Sequence, residues 1–124
     1  MYDSRENTRR AKILVVDDNK EAVEALSCLL EMEGFAVIAA HNGVDALRQL
    51  KNDGISVILL DLWMPVMNGS EFLRQKAQTQ TIANIPVIVL SANPPWDRPD
   101  GTRAVLQKPV YPQGLLDAIE RCLR

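Results

Sequence analysis

Four short apolar runs along the chain each stop on a polar residue. Ile13-Leu14-Val15-Val16 stops at Asp17-Asp18, Val57-Ile58-Leu59-Leu60 at Asp61, Val87-Ile88-Val89-Leu90 at Ser91, and Ala104-Val105-Leu106-Gln107 at Lys108-Pro109. Runs of this length, rich in Val and Ile, predict strands buried on both faces of a parallel sheet. Between them the period lengthens to that of amphipathic helices. From Lys20 to Glu33 the apolar positions are Ala22, Val23, Leu26, Leu29 and Leu30, with Gly34 as a stop signal. Phe35 to Ala39 reads as a further strand and Asn42-Gly43 as a turn, and Val44, Leu47 and Leu50 mark a short helix ending near Asn52 to Gly54. A turn containing Pro65 and Gly69 leads into a helix from about Ser70 that carries Phe72 and Leu73 inward. Pro112 opens the last helix, whose stripe is Leu115, Ile119, Cys122 and Leu123; a proline suits the first turn, where its missing N–H has no partner to lose.

Strand and helix therefore alternate, with no internal repeat, low-complexity stretch or linker. Alternation predicts an α/β fold: a parallel sheet with helices on both faces, joined by right-handed crossovers. For five strands the expected arrangement is doubly wound and flavodoxin-like, with strand order 2-1-3-4-5. The first and third strands are then neighbours at the topological switch point. Asp17, Asp18 and Asp61 end those two strands and are expected to meet at the sheet edge where α/β proteins bind ligands.

Three carboxylates in one place repel one another. Two unit charges about 5 Å apart cost roughly 3 kcal/mol at an effective dielectric near 20. A divalent cation removes that cost. Hard oxygen ligands without His or Cys nearby point to Mg²⁺, which keeps waters that exchange for phosphate oxygens; Ca²⁺ fits less well because the cluster lacks the six to eight ligands of a dedicated cage. Lys108 and Ser91, ending the fifth and fourth strands, add an ammonium and a hydroxyl, groups suited to a phosphoryl anion.

Composition narrows the class without changing this picture. A chain of 124 residues is one domain able to bury a core unaided. Fourteen basic against sixteen acidic side chains leave a formal charge of −2, which gives no reason to expect direct contact with nucleic acid or an anionic membrane. Cys28 and Cys122 have no metal-ligand spacing and read as packing residues in a reducing cytoplasm. No stretch is long and apolar enough for a membrane span or a secretory signal. Residues 1–11, polar and carrying Arg5, Arg9 and Arg10, read as a solvated tail before a domain spanning 12–124.

The residues together resemble the receiver domains of two-component response regulators, over nearly the whole chain from Lys12 to Leu123. The resemblance rests on Asp17-Asp18, on Asp61-Leu62-Trp63-Met64-Pro65-Val66-Met67-Asn68-Gly69, on Ser91-Ala92 after an apolar strand, and on Lys108-Pro109. Asn42-Gly43-Val44-Asp45-Ala46-Leu47 also looks like the start of the family's second helix. It implies Asp61 as phosphoacceptor, taking a phosphoryl group from a phosphohistidine on a sensor histidine kinase or a histidine phosphotransfer protein. It also implies Asp18, Asp61 and the Trp63 backbone carbonyl as direct Mg²⁺ ligands, with Asp17 placing the ion partly through water. Lys108 would pair with the phosphoryl group and the Ser91 hydroxyl would donate to it. A receiver of this kind is not a conventional enzyme but catalyses its own phosphorylation and dephosphorylation, and acts on a downstream protein partner that the sequence does not name.

Other readings stand beside this one. The chain could be a pseudo-receiver that only binds a protein, although the acidic and lysine residues such proteins lose are present. A small aspartyl-nucleophile phosphatase of the haloacid dehalogenase type carries Asp-x-Asp on its first strand, whereas Asp17 and Asp18 are adjacent. Asp17 or Asp18 could instead cap the first helix, Ser91 a turn, and Lys108 could be a solvated loop residue. His41 reads as an exposed strand-end residue. Trp63 and Trp96 are expected to do no chemistry, except that a Trp63 ring overhanging the site would slow attack by water. The last helix ends the chain, which suits a stand-alone receiver or one excised from a longer regulator or hybrid kinase.

Two departures from the family pattern fall on one surface. Sixteen residues separate Ser91 from Lys108, and they include Pro94, Pro95, Pro99 and Gly101. Proline breaks the helical ladder and restricts the residue before it, so the fourth helix is expected to be missing or reduced to a turn. Val105 stands where the family often has an aromatic switch residue. Output is therefore expected to leave by a different route, such as order and disorder of the segment Asn93 to Arg103.

Overall fold

The computed structural model describes residues 11–52, 54–64, 67–95 and 97–124. Pro65, Val66, Trp96 and residues 1–10 of the expected tail lie outside the described residues. The elements run β1 (Lys12–Val16), α1 (Lys20–Met32), β2 (Ala36–Ala40), α2 (Gly43–Asn52), β3 (Val57–Asp61), α3 (Gly69–Ala77), β4 (Val87–Ser91), β5 (Ala104–Gln107) and α4 (Pro112–Leu123). All strand pairings are parallel, in the order β2-β1-β3-β4-β5. This is the flavodoxin-like order expected from the alternation.

Strand side chains alternate between two apolar layers, as the period of two requires. Leu14, Val16, Ile58, Leu60, Val87 and Val89 face a cluster with Ala46 and Leu50 of α2 and Phe72 and Leu73 of α3. Ile13, Val15, Val57, Leu59, Ile88 and Leu90 face the opposite cluster with Val23 and Leu30 of α1 and Leu115, Ala118 and Ile119 of α4. The three central strands are buried on both sides. β5 differs from the sequence expectation: Ala104, Val105 and Leu106 are half-buried and Gln107 is exposed. Among the described residues it is an edge strand, paired with β4 alone. Ala11, at the end of the expected tail, already belongs to the packed domain, since its carbonyl accepts from Ala36 N at 3.1 Å.

The helix starts explain why no carboxylate of the cluster is spent on a cap. α1 is capped by Asn19, whose side chain accepts from Ala22 N at 3.1 Å, and α3 by Asn68, which accepts from Glu71 N at 2.9 Å. The possibility that Asp17 or Asp18 serves as the cap of the first helix is thereby overturned. Gly69, read from sequence only as a turn residue, lies against the Leu62 backbone: a Cβ there would stand 2.5 Å from Leu62 Cα. Its N–H donates to Leu62 O at 2.8 Å, which folds the segment after β3 back onto the sheet edge.

No helix joins β4 to β5 among the described residues, as the prolines predicted. A turn takes its place. Thr102 is buried and donates from both its backbone N–H (3.3 Å) and its hydroxyl (2.6 Å) to Pro99 O. Gly101 sits at φ +80°, a conformation glycine adopts without steric penalty. Arg103 N then donates to Val87 O at 2.8 Å, which starts the β5 pairing.

Candidate functional site

The C-terminal ends of β1, β3 and β5 bring their polar residues together. β1 carries Asp17 just past Val16, where Asp17 N donates to Ala40 O at 3.1 Å and continues the ladder with β2. This fixes a nearly buried carboxylate. Its Oδ1 accepts from Asn19 N at 2.9 Å, and its Oδ2 accepts from Lys108 Nζ at the same distance. Asp18 is exposed beside it. Asp61, the last residue of β3, offers Oδ1 to Trp63 N at 3.2 Å, while its Oδ2 lies 4.0 Å from Lys108 Nζ. Asp17, Asp18 and Asp61 each present an oxygen, and the three lie within 4.8 Å of one another.

Electrostatics at Asp61 follow from this crowding. Burial is the main influence and raises the carboxyl above its ordinary value of 3.8; the Trp63 N–H and the Lys108 ammonium oppose it, and the charges of Asp17 and Asp18 add to the rise. The Lys108 ammonium thus faces the carboxylates of Asp17 and Asp61, with Asp18 adding a further negative charge beside them. The donor set of the cluster is all oxygen, without imidazole or thiolate, and fits a hard divalent cation such as Mg²⁺.

Ser91 ends β4 and is fully buried. Its carbonyl accepts from Lys108 N at 2.9 Å, so the two residues are tied through the backbone. Its hydroxyl oxygen accepts from Asn93 N at 3.1 Å. The turn-capping role and the place beside Lys108 thus coexist in one residue. Trp63 is 64% exposed, and its Nε1 donates to Asn93 O at 3.5 Å. Its ring reaches toward the β4–β5 connection. Asn93, expected only as the start of the proline-rich segment, is the partner of the Ser91 hydroxyl, as the turn signal Ser91-Ala92-Asn93 allows. His41 is exposed as expected, with Nδ1 3.4 Å from Asp17 O. The Lys108–Pro109 peptide is cis.

The family model of the response regulator receiver domain matches residues 13–120. The chain belongs to this family. Among curated receiver relatives, protein PilH of Pseudomonas aeruginosa is 33% identical over 118 residues, covering 91% of this chain and 98% of PilH. The transcriptional regulatory protein CpxR homolog of Haemophilus influenzae is 45% identical over 82 residues, which cover 66% of this chain. The aligned region spans about a third of that protein's length (34%). Among solved structures, the receiver matches chemotaxis protein CheY4 of Vibrio cholerae with a TM-score of 0.84 at 29% identity, covering 91% of this chain and 98% of that one. The receiver domain of a signal transduction histidine kinase from Syntrophus aciditrophicus matches with a TM-score of 0.79 at 26% identity, covering 91% and 89%. The protein is a CheY-like receiver domain of two-component signalling.

Proposed function

We propose that this receiver accepts a phosphoryl group on Asp61 from a phosphohistidine of a sensor histidine kinase or a histidine phosphotransfer protein, and that the modified form switches contacts with a downstream protein. The observation that carries the reading is the meeting of three carboxylates within 4.8 Å, with Lys108 Nζ reaching both Asp17 and Asp61. An Asp61 oxygen attacks phosphorus as the P–N bond breaks; the bonding pair stays on the imidazole nitrogen, and an aspartyl phosphate remains. Lys108, already held at the site by Asp17, pairs with the incoming phosphoryl oxygens. The Ser91 hydroxyl donates to the phosphoryl group once it turns from Asn93. Asp18, Asp61 and the Trp63 carbonyl would hold a Mg²⁺ ion, with Asp17 helping to place it, and the ion would supply neutralisation of the charge on phosphate and carboxylates. Trp63, exposed beside the acceptor, limits the approach of water to the aspartyl phosphate.

The receiver works in the cytoplasm in this reading, where free thiols such as Cys28 and Cys122 persist. Among the described residues no helix is long and apolar enough to cross a membrane. The test is intact mass after incubation with Mg²⁺ and a small phosphodonor. Wild type is expected to gain one phosphoryl group and Asp61→Asn none. A wild type that gains nothing would leave a protein-binding module as the better account.

A further inference from the structure

We infer that the cavity between the start of β5 and the C-terminal half of α4 is a binding site for a small dianion, a phosphate group held between the guanidinium groups of Arg103 and Arg121. The site stands apart from Asp61 and needs no reaction there.

The cavity measures about 190 Å³ and is lined by Arg103, Ala104, Ala118, Arg121 and Cys122. Arg103 immediately precedes β5, Ala104 opens it, and α4 supplies the other three. The two alanines reach only as far as Cβ, so room is left between strand and helix. Both arginines are exposed, and among the described residues neither guanidinium has an ion pair or a side-chain hydrogen bond. Arginines on the other helices are served differently. Arg48 and Arg74 each meet a carboxylate three residues earlier, at Asp45 and Glu71, whereas Arg121 has Ala118 at that position. Asp117, one turn before Arg121, is engaged elsewhere, since its Oδ1 accepts from Gln113 Nε2 at 2.8 Å. Asp100, the acidic residue nearest to Arg103 in sequence, lines a different groove with Ser70 and Arg74.

Two positive charges bordering one cavity without a counter-ion repel each other. Cys122 registers that field: burial raises its thiol, and the Arg103 charge opposes the rise. Guanidinium groups present forked N–H donors that match the oxygens of carboxylate or phosphate. A lone carboxylate satisfies one fork, while a phosphate dianion offers oxygens to both sides at once. Size narrows the choice further. The volume corresponds to about six waters and is smaller than the roughly 300 Å³ at which ordinary small-molecule pockets begin. It suits inorganic phosphate, or the phosphate end of a monoester whose remainder stays in solvent. Arg103 and Lys108 stand at opposite ends of β5, roughly 16 Å apart along an extended strand, so an anion here is distinct from a phosphoryl group on Asp61.

The test is an NMR titration of the full chain with sodium phosphate, at ionic strength held constant with NaCl and without Mg²⁺, read at the Nε–H resonances of Arg103 and Arg121. Both are expected to shift to saturation with one common midpoint. Arg103→Gln should weaken the midpoint seen at Arg121 at least about tenfold, and Arg121→Gln that seen at Arg103, as for loss of a hydrogen bond to a charged group. Both positions are exposed, so the substitutions spare the core. Alkylation of Cys122 by iodoacetamide should slow with the same midpoint, because the bound anion covers the thiol and opposes its ionisation. Exposed Cys28, in a separate groove with Glu24 and Glu31, should react at an unchanged rate. Phenyl phosphate binding at least as tightly as inorganic phosphate would assign the site to phosphomonoesters, and weaker binding would assign it to the free ion. Shifts that NaCl alone reproduces, that never saturate, or that keep full affinity in both variants overturn the site.

Discussion

At Asp61, burial raises the carboxyl above its ordinary value of 3.8, and a raised carboxyl has a definite consequence for stability. The folded form binds its proton more tightly than the unfolded form, so the group contributes stability that is present below about pH 3.8 and lost as the pH rises through the folded value. At neutral pH the ionised side chain therefore works against the fold. Asn at this position keeps an oxygen for Trp63 N and does not titrate, and Lys108 retains Asp17 at 2.9 Å. Asp61→Asn is expected to melt higher than wild type at pH 7 without added metal. Each 1 kcal/mol of stability appears as roughly 4 °C in a domain of this size. The gap should shrink toward pH 3.8, as followed by thermal melts across the range; a variant that melts lower at pH 7 would contradict the assignment of burial as the main influence. Asp61, Asp17, Asp18 and Lys108 were legible in the sequence because each stands at the end of a strand whose direction its apolar run discloses. The approach of the Trp63 indole to Asn93 was not, because it uses a backbone carbonyl, which leaves no mark on residue type.

At the scale of elements, the sequence carried the strands and helices well, since both periods are clean, and the prolines announced the missing helix. What it did not carry was lateral position. The run Ala104 to Gln107 resembles the central runs, yet its edge position leaves it half-buried. Lys76 misleads in the opposite sense: a lysine in a helix reads as solvated, but this one is buried, donates to Ala83 O at 2.8 Å and has its ammonium form disfavoured by burial. Two glycines separate steric from conformational demand. Gly69 has no room for a side chain beside the Leu62 backbone, whereas Gly101 has open space around it and is constrained by its φ of +80° alone. Gly101→Ala is expected to cost about 1 kcal/mol, the usual penalty for a left-handed residue with a Cβ. Gly69→Ala should cost more, in the range of about 1–3 kcal/mol seen for overpacking, and should also disturb the acceptor loop. Urea titrations of the two variants order them directly; equal midpoints would show that the Leu62 contact relaxes freely.

For the whole molecule, the sheet order places β1 beside β3, and that adjacency makes one site of Asp17-Asp18 and Asp61. A cation bound there links site and stability, because a ligand that binds only the folded state stabilises it by mass action. At 100 times its dissociation constant, the proposed Mg²⁺ would add about 2.7 kcal/mol, read as a rise in the thermal midpoint. Asp18→Ala is expected to remove most of that rise. A midpoint that ignores Mg²⁺ in wild type would count against the ion site and leave the fold untouched.

The connection from β4 to β5 has twelve residues between Ser91 and Ala104 (positions 92 to 103), about the shortest length that joins parallel strands. A path at that limit has no slack to give up, so removing residues would pull Ala104 out of register with Ile88. Added length is a different matter, since each doubling of a flexible loop costs only about 0.6 kcal/mol. The same segment is thus closed to deletion and open to insertion, which makes it the natural graft point for building a new output element into this receiver without disturbing its site.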